Sequence, residues 1–136
     1  ILPHLQELLA QSGKMSRIVI IAFDLETAAM SKEMIDVSTY WLKGTEKIKE
    51  TEQWIPHDPQ LVRTAKDKGL DGLDVHYAGV NKEFVNAVKA SGQKLYVWTV
   101  DEPEEAIRLI KLGVDGITTN RPGWLREQVK NHPPAR

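Results

Sequence analysis

Residues able to do chemistry gather at five places where an apolar run gives way to a turn: Phe23-Asp24, Trp41 to Lys43, His76-Tyr77, Trp98 to Asp101 and Thr118 to Asn120. Trp98 is large and amphipathic, and beside Thr99 and Asp101 it can either stack on a ligand or pack beneath a loop. His76 ends a strand and is a candidate acid or base. It has no partner recognisable in the sequence, so a structural or surface role is the alternative. Thr118, Thr119 and Asn120 precede "RPG" and can offer hydroxyl and backbone N–H groups to a phosphate at a helix start. The competing reading is plain Asn-x-Pro-Gly turn chemistry.

Other polar residues are better explained by structure. Asp58-Pro59 is a typical helix start, so Asp58 is expected to cap a helix with His57 just outside it, rather than the His57-Asp58 pair to catalyse. Asp101 is likewise expected as an N-cap, with Glu104 at the capping-box spacing. Carboxylates two apart at a strand end would mark a metal cage. Asp71 and Asp74 are three apart and near a strand's start, so no metal site is read from the residues. His4 and His132 are assigned no role.

The elements that must position these groups alternate regularly. Leu2, Leu5, Leu8 and Leu9 space as one helical face closed by Gly13. "RIVIIAF" (17–23) reads as a strand covered on both sides. Residues 24–34 can form a short helix, 36–43 a further strand, and 44–57 a long polar loop with a helical turn. A helix from Asp58 to Gly69, the strand "GLDVHY", a helix capped by Asn81 and ended by Gly92, the strand "KLYVWTV", a helix ended by Gly113 and the strand "DGITT" follow. "KGLDGLDVH" is echoed by "LGVDGITTN". About five strand–helix alternations imply parallel strands with helical crossovers. The repeated Gly punctuation suits a (β/α) barrel, and no G-x-G-x-x-G or Walker loop argues for a doubly wound sheet. In such barrels the C-terminal strand ends carry the active site.

The composition narrows the partners. The 136 residues, 41% hydrophobic and 27% charged, suffice for one domain with a core. A net charge of −1 with acidic and basic residues interspersed gives no general attraction to nucleic acid or an anionic membrane. Without cysteine there are no disulfides, thiolate metal sites or cysteine nucleophiles. No apolar run reaches the roughly 18 residues of a membrane span. "ILPHLQELLAQSGK" lacks the basic start and apolar core of a signal peptide, and the compartment stays open.

"LYVWTVDEPEEAIRLIKLGVDGITTNRPGWL" resembles the C-terminal signature of the glycerophosphodiester phosphodiesterase family. There a strand ending W-T-V-N or W-T-V-D leads through a helix to G-V-D-G-I-x-T-[DN]-x-P. Trp98, Thr99, Val100, Asp101, Gly113 to Ile117, Thr119, Asn120 and Pro122 match. Upstream, Phe23 and Asp24 match the family's strand ending S-F-D, with Ala22 in place of serine. The resemblance covers residues 1 to about 128, leaving 129–136 as a polar, Pro-rich tail.

The resemblance implies a TIM barrel of the phospholipase C-like phosphodiesterase type. It also implies hydrolysis of glycerophosphodiesters to glycerol 3-phosphate and an alcohol. Family members use a divalent cation, Ca²⁺ or Mg²⁺, held by carboxylates, and two histidines as acid and base. Those residues lie in H-R-G, E-x-D, H-D and E-I-K motifs of the barrel's first half. "HRG" and "EIK" do not occur here, and the single "HD" stands at a helix start. The chain is therefore expected to supply strands four to eight of a barrel of ~250 residues, with no catalytic or metal residue of its own. Trp98 and Phe23 are expected to form the wall of the substrate pocket, with Lys43, His76 and Thr119 as polar contributors. The segment alone is expected to be inactive, and self-association is one way to cover its open barrel edges. The alternative is a non-catalytic half-barrel binding module or a degenerate family member.

Overall fold

The repeated Gly–apolar–Asp–Gly stretches at 69–72 and 113–116 perform one mechanical task twice. In the computed structural model, which describes residues 1–131, Gly69 and Gly113 take left-handed φ values of 75° and 102° where a helix ends. Only glycine adopts these without strain. The aspartate that follows reaches sideways to the preceding strand. Asp71 Oδ2 accepts the Thr39 N–H at 2.8 Å, and Asp115 Oδ2 accepts the Leu95 N–H at 2.9 Å. Their own N–H groups donate to the Thr39 and Leu95 carbonyls. Backbone groups at the start of two strands are thereby satisfied.

The glycine after each aspartate makes room. A Cβ on Gly72 would overlap the Lys94 carbonyl oxygen, and one on Gly116 would lie 2.9 Å from the Tyr96 ring. Tyr40 and Tyr96 meet there with ring centroids 4.7 Å apart. Burial pushes the Tyr40 phenol up to about 12.

Along the chain the elements are α1 (Leu2–Ser12), β1 (Val19–Ala22), α2 (Leu25–Met34), β2 (Ser38–Lys43), α3 (Gln60–Asp67) and β3 (Gly72–His76). They continue with α4 (Lys82–Ala90), β4 (Lys94–Trp98), α5 (Pro103–Leu112), β5 (Gly116–Ile117) and α6 (Pro122–Lys130). Short 3₁₀ turns stand at Met15–Arg17 and Tyr77–Gly79. The five strands form one parallel sheet in the order β1-β2-β3-β4-β5. This is the expected α/β architecture of a partial barrel. α6 runs to Lys130, and residues 132–136, including His132 and most of the Pro-rich tail, lie outside the described residues.

Strand alternation divides the side chains between two faces. Trp41, Leu73, Val75, Leu95 and Val97 pack against Val62, Ala65, Phe84, Val85, Val88 and Leu109 of the covering helices. A smaller cluster of Leu9, Ile35 and Val37 fixes α1. The opposite, inner face carries Tyr40, Asp74, His76, Tyr96 and Trp98. β1 departs from its expected double cover: Val19 and Ile21 are 47% and 50% exposed. Helices cover one side of this strand, and its inner side faces the open concavity of the sheet. A continuous apolar run identifies a barrel strand but does not say whether both of its faces are filled.

Helix starts also differ in detail. Asn81 caps α4 as expected, its Oδ1 accepting the Phe84 N–H at 2.9 Å. α3 begins at Gln60 rather than Pro59, with Asp58 Oδ1 accepting the Gln60 N–H at 2.9 Å. Asp101 does not cap α5. That helix begins after Glu102 without a side-chain cap, because the Asp101 carboxylate is engaged by the chain beyond β5.

Candidate functional site

The C-terminal ends of β1, β3 and β4 bring aromatic rings together on the inner face. Trp98 donates its Nε1–H to the Asp74 carbonyl at 3.0 Å, which lays the indole across β3. Phe23, just beyond β1 and 64% exposed, meets Trp98 edge to face with centroids 6.0 Å apart. His76 meets Trp98 edge to face at 5.2 Å. The His76 ring is itself stacked between Trp54 at 4.9 Å and Tyr77 at 4.8 Å. Phe23, Trp98 and His76, each expected at a strand end, therefore form one surface.

Trp54 arrives from an element that the sequence shows only as a polar loop. Residues 44–57 double back on themselves through an antiparallel bridge between Lys47 and Trp54. Ile48 N–H donates to Gln53 O and Ile55 N–H to Glu46 O, each at 2.8 Å. The signal in the sequence is the apolar pair Trp54-Ile55 inside an otherwise charged stretch.

His57, expected to stand outside a helix with no further task, anchors this loop. It is 5% exposed, packs against Phe84, and donates its Nε2–H to the His76 carbonyl at 2.8 Å. Burial lowers its pKa, so a neutral ring fills the site.

Lys43 and Thr119 are placed elsewhere. Lys43 shares the outer face of β2 with Trp41, its ammonium 4.9 Å from that indole. It opens onto a separate cleft of about 500 Å³ lined by Ile55, His57, Asp58 and Leu61. The Thr119 hydroxyl donates to Asp101 Oδ1 at 2.7 Å and accepts the Arg121 N–H at 3.2 Å. Asn120 gives both its backbone N–H and its Nδ2–H to Asp101, each at 2.9 Å. The Asn120 and Thr119 donors hold the Asp101 carboxylate below its usual pKa. The groups expected to be available for phosphate thus clamp the end of β4 to the end of β5. Asp24 similarly caps α2, accepting from the Thr27 N–H and hydroxyl.

One carboxylate on the inner face is not used in this way. Asp74 lies between Leu42 and Tyr96 in the strand register and is 4% exposed. Its Oδ1 is buried without a hydrogen-bond partner among the described residues. Loss of hydration raises its pKa to about 6. A divalent cation does not fit these side chains. Among the described residues no three His, Asp or Glu side chains gather closely enough to hold one, and Asp24 and Asp101 are already engaged.

Helix-covered parallel strands in chain order, with their C-terminal ends along one rim, are the architecture of part of a (β/α) barrel. Comparison with known proteins makes the assignment specific. Residues 1–124 match the model of the glycerophosphoryl diester phosphodiesterase family, and the chain belongs to that family.

A glycerophosphodiester phosphodiesterase of Caldanaerobacter subterraneus subsp. tengcongensis is 44% identical over 63 residues, which are 45% of this chain and 26% of that relative. The crystal structure of a glycerophosphodiester phosphodiesterase from Parabacteroides distasonis superposes with a TM-score of 0.74 at 22% identity, covering 96% of this chain and 50% of that one. An Oleispira antarctica phosphodiesterase, solved with the product sn-glycerol-3-phosphate, has a TM-score of 0.60 at 17% identity over 82% of this chain and 41% of its own. The chain spans half or less of each of these relatives.

Proposed function

We propose that this chain forms the substrate-binding wall of a metal-dependent glycerophosphodiester phosphodiesterase, which releases glycerol 3-phosphate and an alcohol. The observation that carries this reading is the contiguous surface of Phe23, Trp98 and His76 at the strand ends, in a chain matched to the family over residues 1–124. Phe23 and Trp98 offer apolar area to the carbon skeleton of the glycerol or alcohol half. Their mutual edge-to-face contact, together with the Trp98 bond to Asp74, fixes that wall before substrate arrives. The cation, Ca²⁺ or Mg²⁺, would neutralise charge developing on the phosphoryl group, with ligands and acid–base histidines supplied from outside these residues. Without them, residues 1–136 alone turn over no substrate.

The test is Trp98→Ala in the natural-length polypeptide that carries this chain, with glycerophosphocholine as substrate. Removing the indole lowers kcat/KM by about tenfold or more, equivalent to losing roughly 1.5–3 kcal/mol of buried apolar contact, and leaves metal affinity unchanged. Unchanged kinetics would sink the assignment.

A second reading is favoured by the exposed inner residues Val19 and Ile21 and by β1 and β5 each having one strand neighbour in the sheet. It is a half-barrel that binds without catalysing and covers this face by self-association. Coding sequence upstream of Ile1 that contains H-R-G, E-x-D and E-I-K favours the enzyme. A light-scattering mass of two copies for the isolated chain favours the module.

A further inference from the structure

We propose that His76 is a fixed, neutral hydrogen-bond donor that presents its Nε2–H to an oxygen of the phosphoglycerol half of the substrate. This inference rests on the phosphodiesterase reading above. The Ala78 N–H donates to His76 Nδ1 at 3.2 Å. That nitrogen is therefore the acceptor, and in a neutral imidazole the proton sits on Nε2.

The ring cannot turn without losing the Trp54 and Tyr77 stacks and the Trp98 edge contact. The backbone beneath it is held as well. His57 donates Nε2–H to the His76 carbonyl at 2.8 Å, and its N–H donates to the Gly79 carbonyl at 2.9 Å.

Among the described residues Nε2 has no hydrogen-bond partner, and it is not sealed from solvent, since the buried unpartnered side-chain atom is Asp74 Oδ1. Burial also lowers the His76 pKa, in keeping with a neutral ring. A proton shuttle needs a second group that takes or gives the proton. Nδ1 faces a backbone donor, so no relay runs through it, and the geometry favours binding over acid–base work. Phosphate oxygens are strong acceptors for such a donor.

Two variants of the natural-length protein separate donor from packing roles. His76→Phe keeps a ring for Trp54 and Tyr77 but removes the N–H; His76→Gln keeps an N–H near Nε2 but removes the ring. Loss of the donor raises KM for glycerophosphocholine by about tenfold in His76→Phe. The increase is smaller in His76→Gln, and the pH profile of kcat is unchanged in both. The reverse order, a lost limb of that profile, or wild-type KM in His76→Phe overturns the inference while the enzymatic reading stands. A wild-type protein that hydrolyses no glycerophosphodiester sinks both.

Should His76→Phe not fold, the wild-type protein labelled with ¹⁵N-histidine supplies the answer. Adding sn-glycerol 3-phosphate must move the His76 Nε2–H resonance while Nδ1 stays unprotonated. A proton on Nδ1, or an unmoved Nε2–H, overturns the proposal.

Discussion

At the N-terminal ends of β2 and β4, Asp71 and Asp115 close the backbone, and Tyr40 meets Tyr96 in the space left by two glycines. At the C-terminal ends of β3 and β4, aromatic rings surround a histidine nitrogen that no described side chain answers. The lower end is built twice from one sequence pattern and satisfies its polar groups internally. The upper end is built once, from residues on β1, β3, β4 and a looped-back segment, and leaves polar capacity open. In a (β/α) barrel this division matches the usual separation of stability from binding.

Gly72→Ala breaks the lower end most severely. Its Cβ would overlap the Lys94 carbonyl oxygen, and backbone cannot move aside as a side chain can. The expected loss is about 3 kcal/mol or more, read as a fall in the denaturant midpoint or failure to fold. Should Gly72→Ala remain as stable as wild type, the claim that this end is closely built is wrong.

Asp74 sharpens the contrast from the middle of the sheet, where one carboxylate oxygen is buried without a partner among the described residues. Its folded pKa, about 6, lies above the ordinary 3.8, so the fold favours the protonated form. The stability this provides is present below about pH 4 and is lost as pH rises through 6. Asp74→Asn does not titrate there. Its stability relative to wild type should therefore rise by roughly 2–3 kcal/mol between pH 4 and pH 7.5, measured by denaturant unfolding. Parallel curves for the two proteins would show that Asp74 finds a donor in the natural-length protein.

Asp115→Ala is the mildest of the three. It removes the acceptor for the Leu95 N–H at the sheet's lower end and costs about 1–2 kcal/mol. Kinetic constants at the rim should not move. A change in KM larger than the change in stability would mean that the two ends are coupled.

Much of the frame is legible in the sequence because its signals are local. Glycines at helix ends, Asn81 as a cap and the apolar–Asp–Gly echo each act within a few residues or on the adjacent strand. Phe23, His76 and Trp98 are recognisable as strand-end residues. The parallel order sets His76 beside Trp98, while Phe23, beyond β1 and two strands away from β3, meets Trp98 across the inner face. Asp101 misled because an aspartate before Glu-Pro has the local appearance of an N-cap, while Thr119 and Asn120, its actual partners, stand 18 and 19 positions further on. Trp54 and His57 were missed for the same reason. Their roles depend on a loop that folds back on β3, of which the sequence shows only the apolar pair Trp54-Ile55 in a charged stretch.

Since the sheet order follows the chain order, no strand has to wait for a distant one to arrive. Each strand–helix unit can dock on the edge left by the one before it, at the modest loop-closure cost of a single crossover. A ribosome releasing this chain would thus present a growing template, with each new strand finding its neighbour already in place.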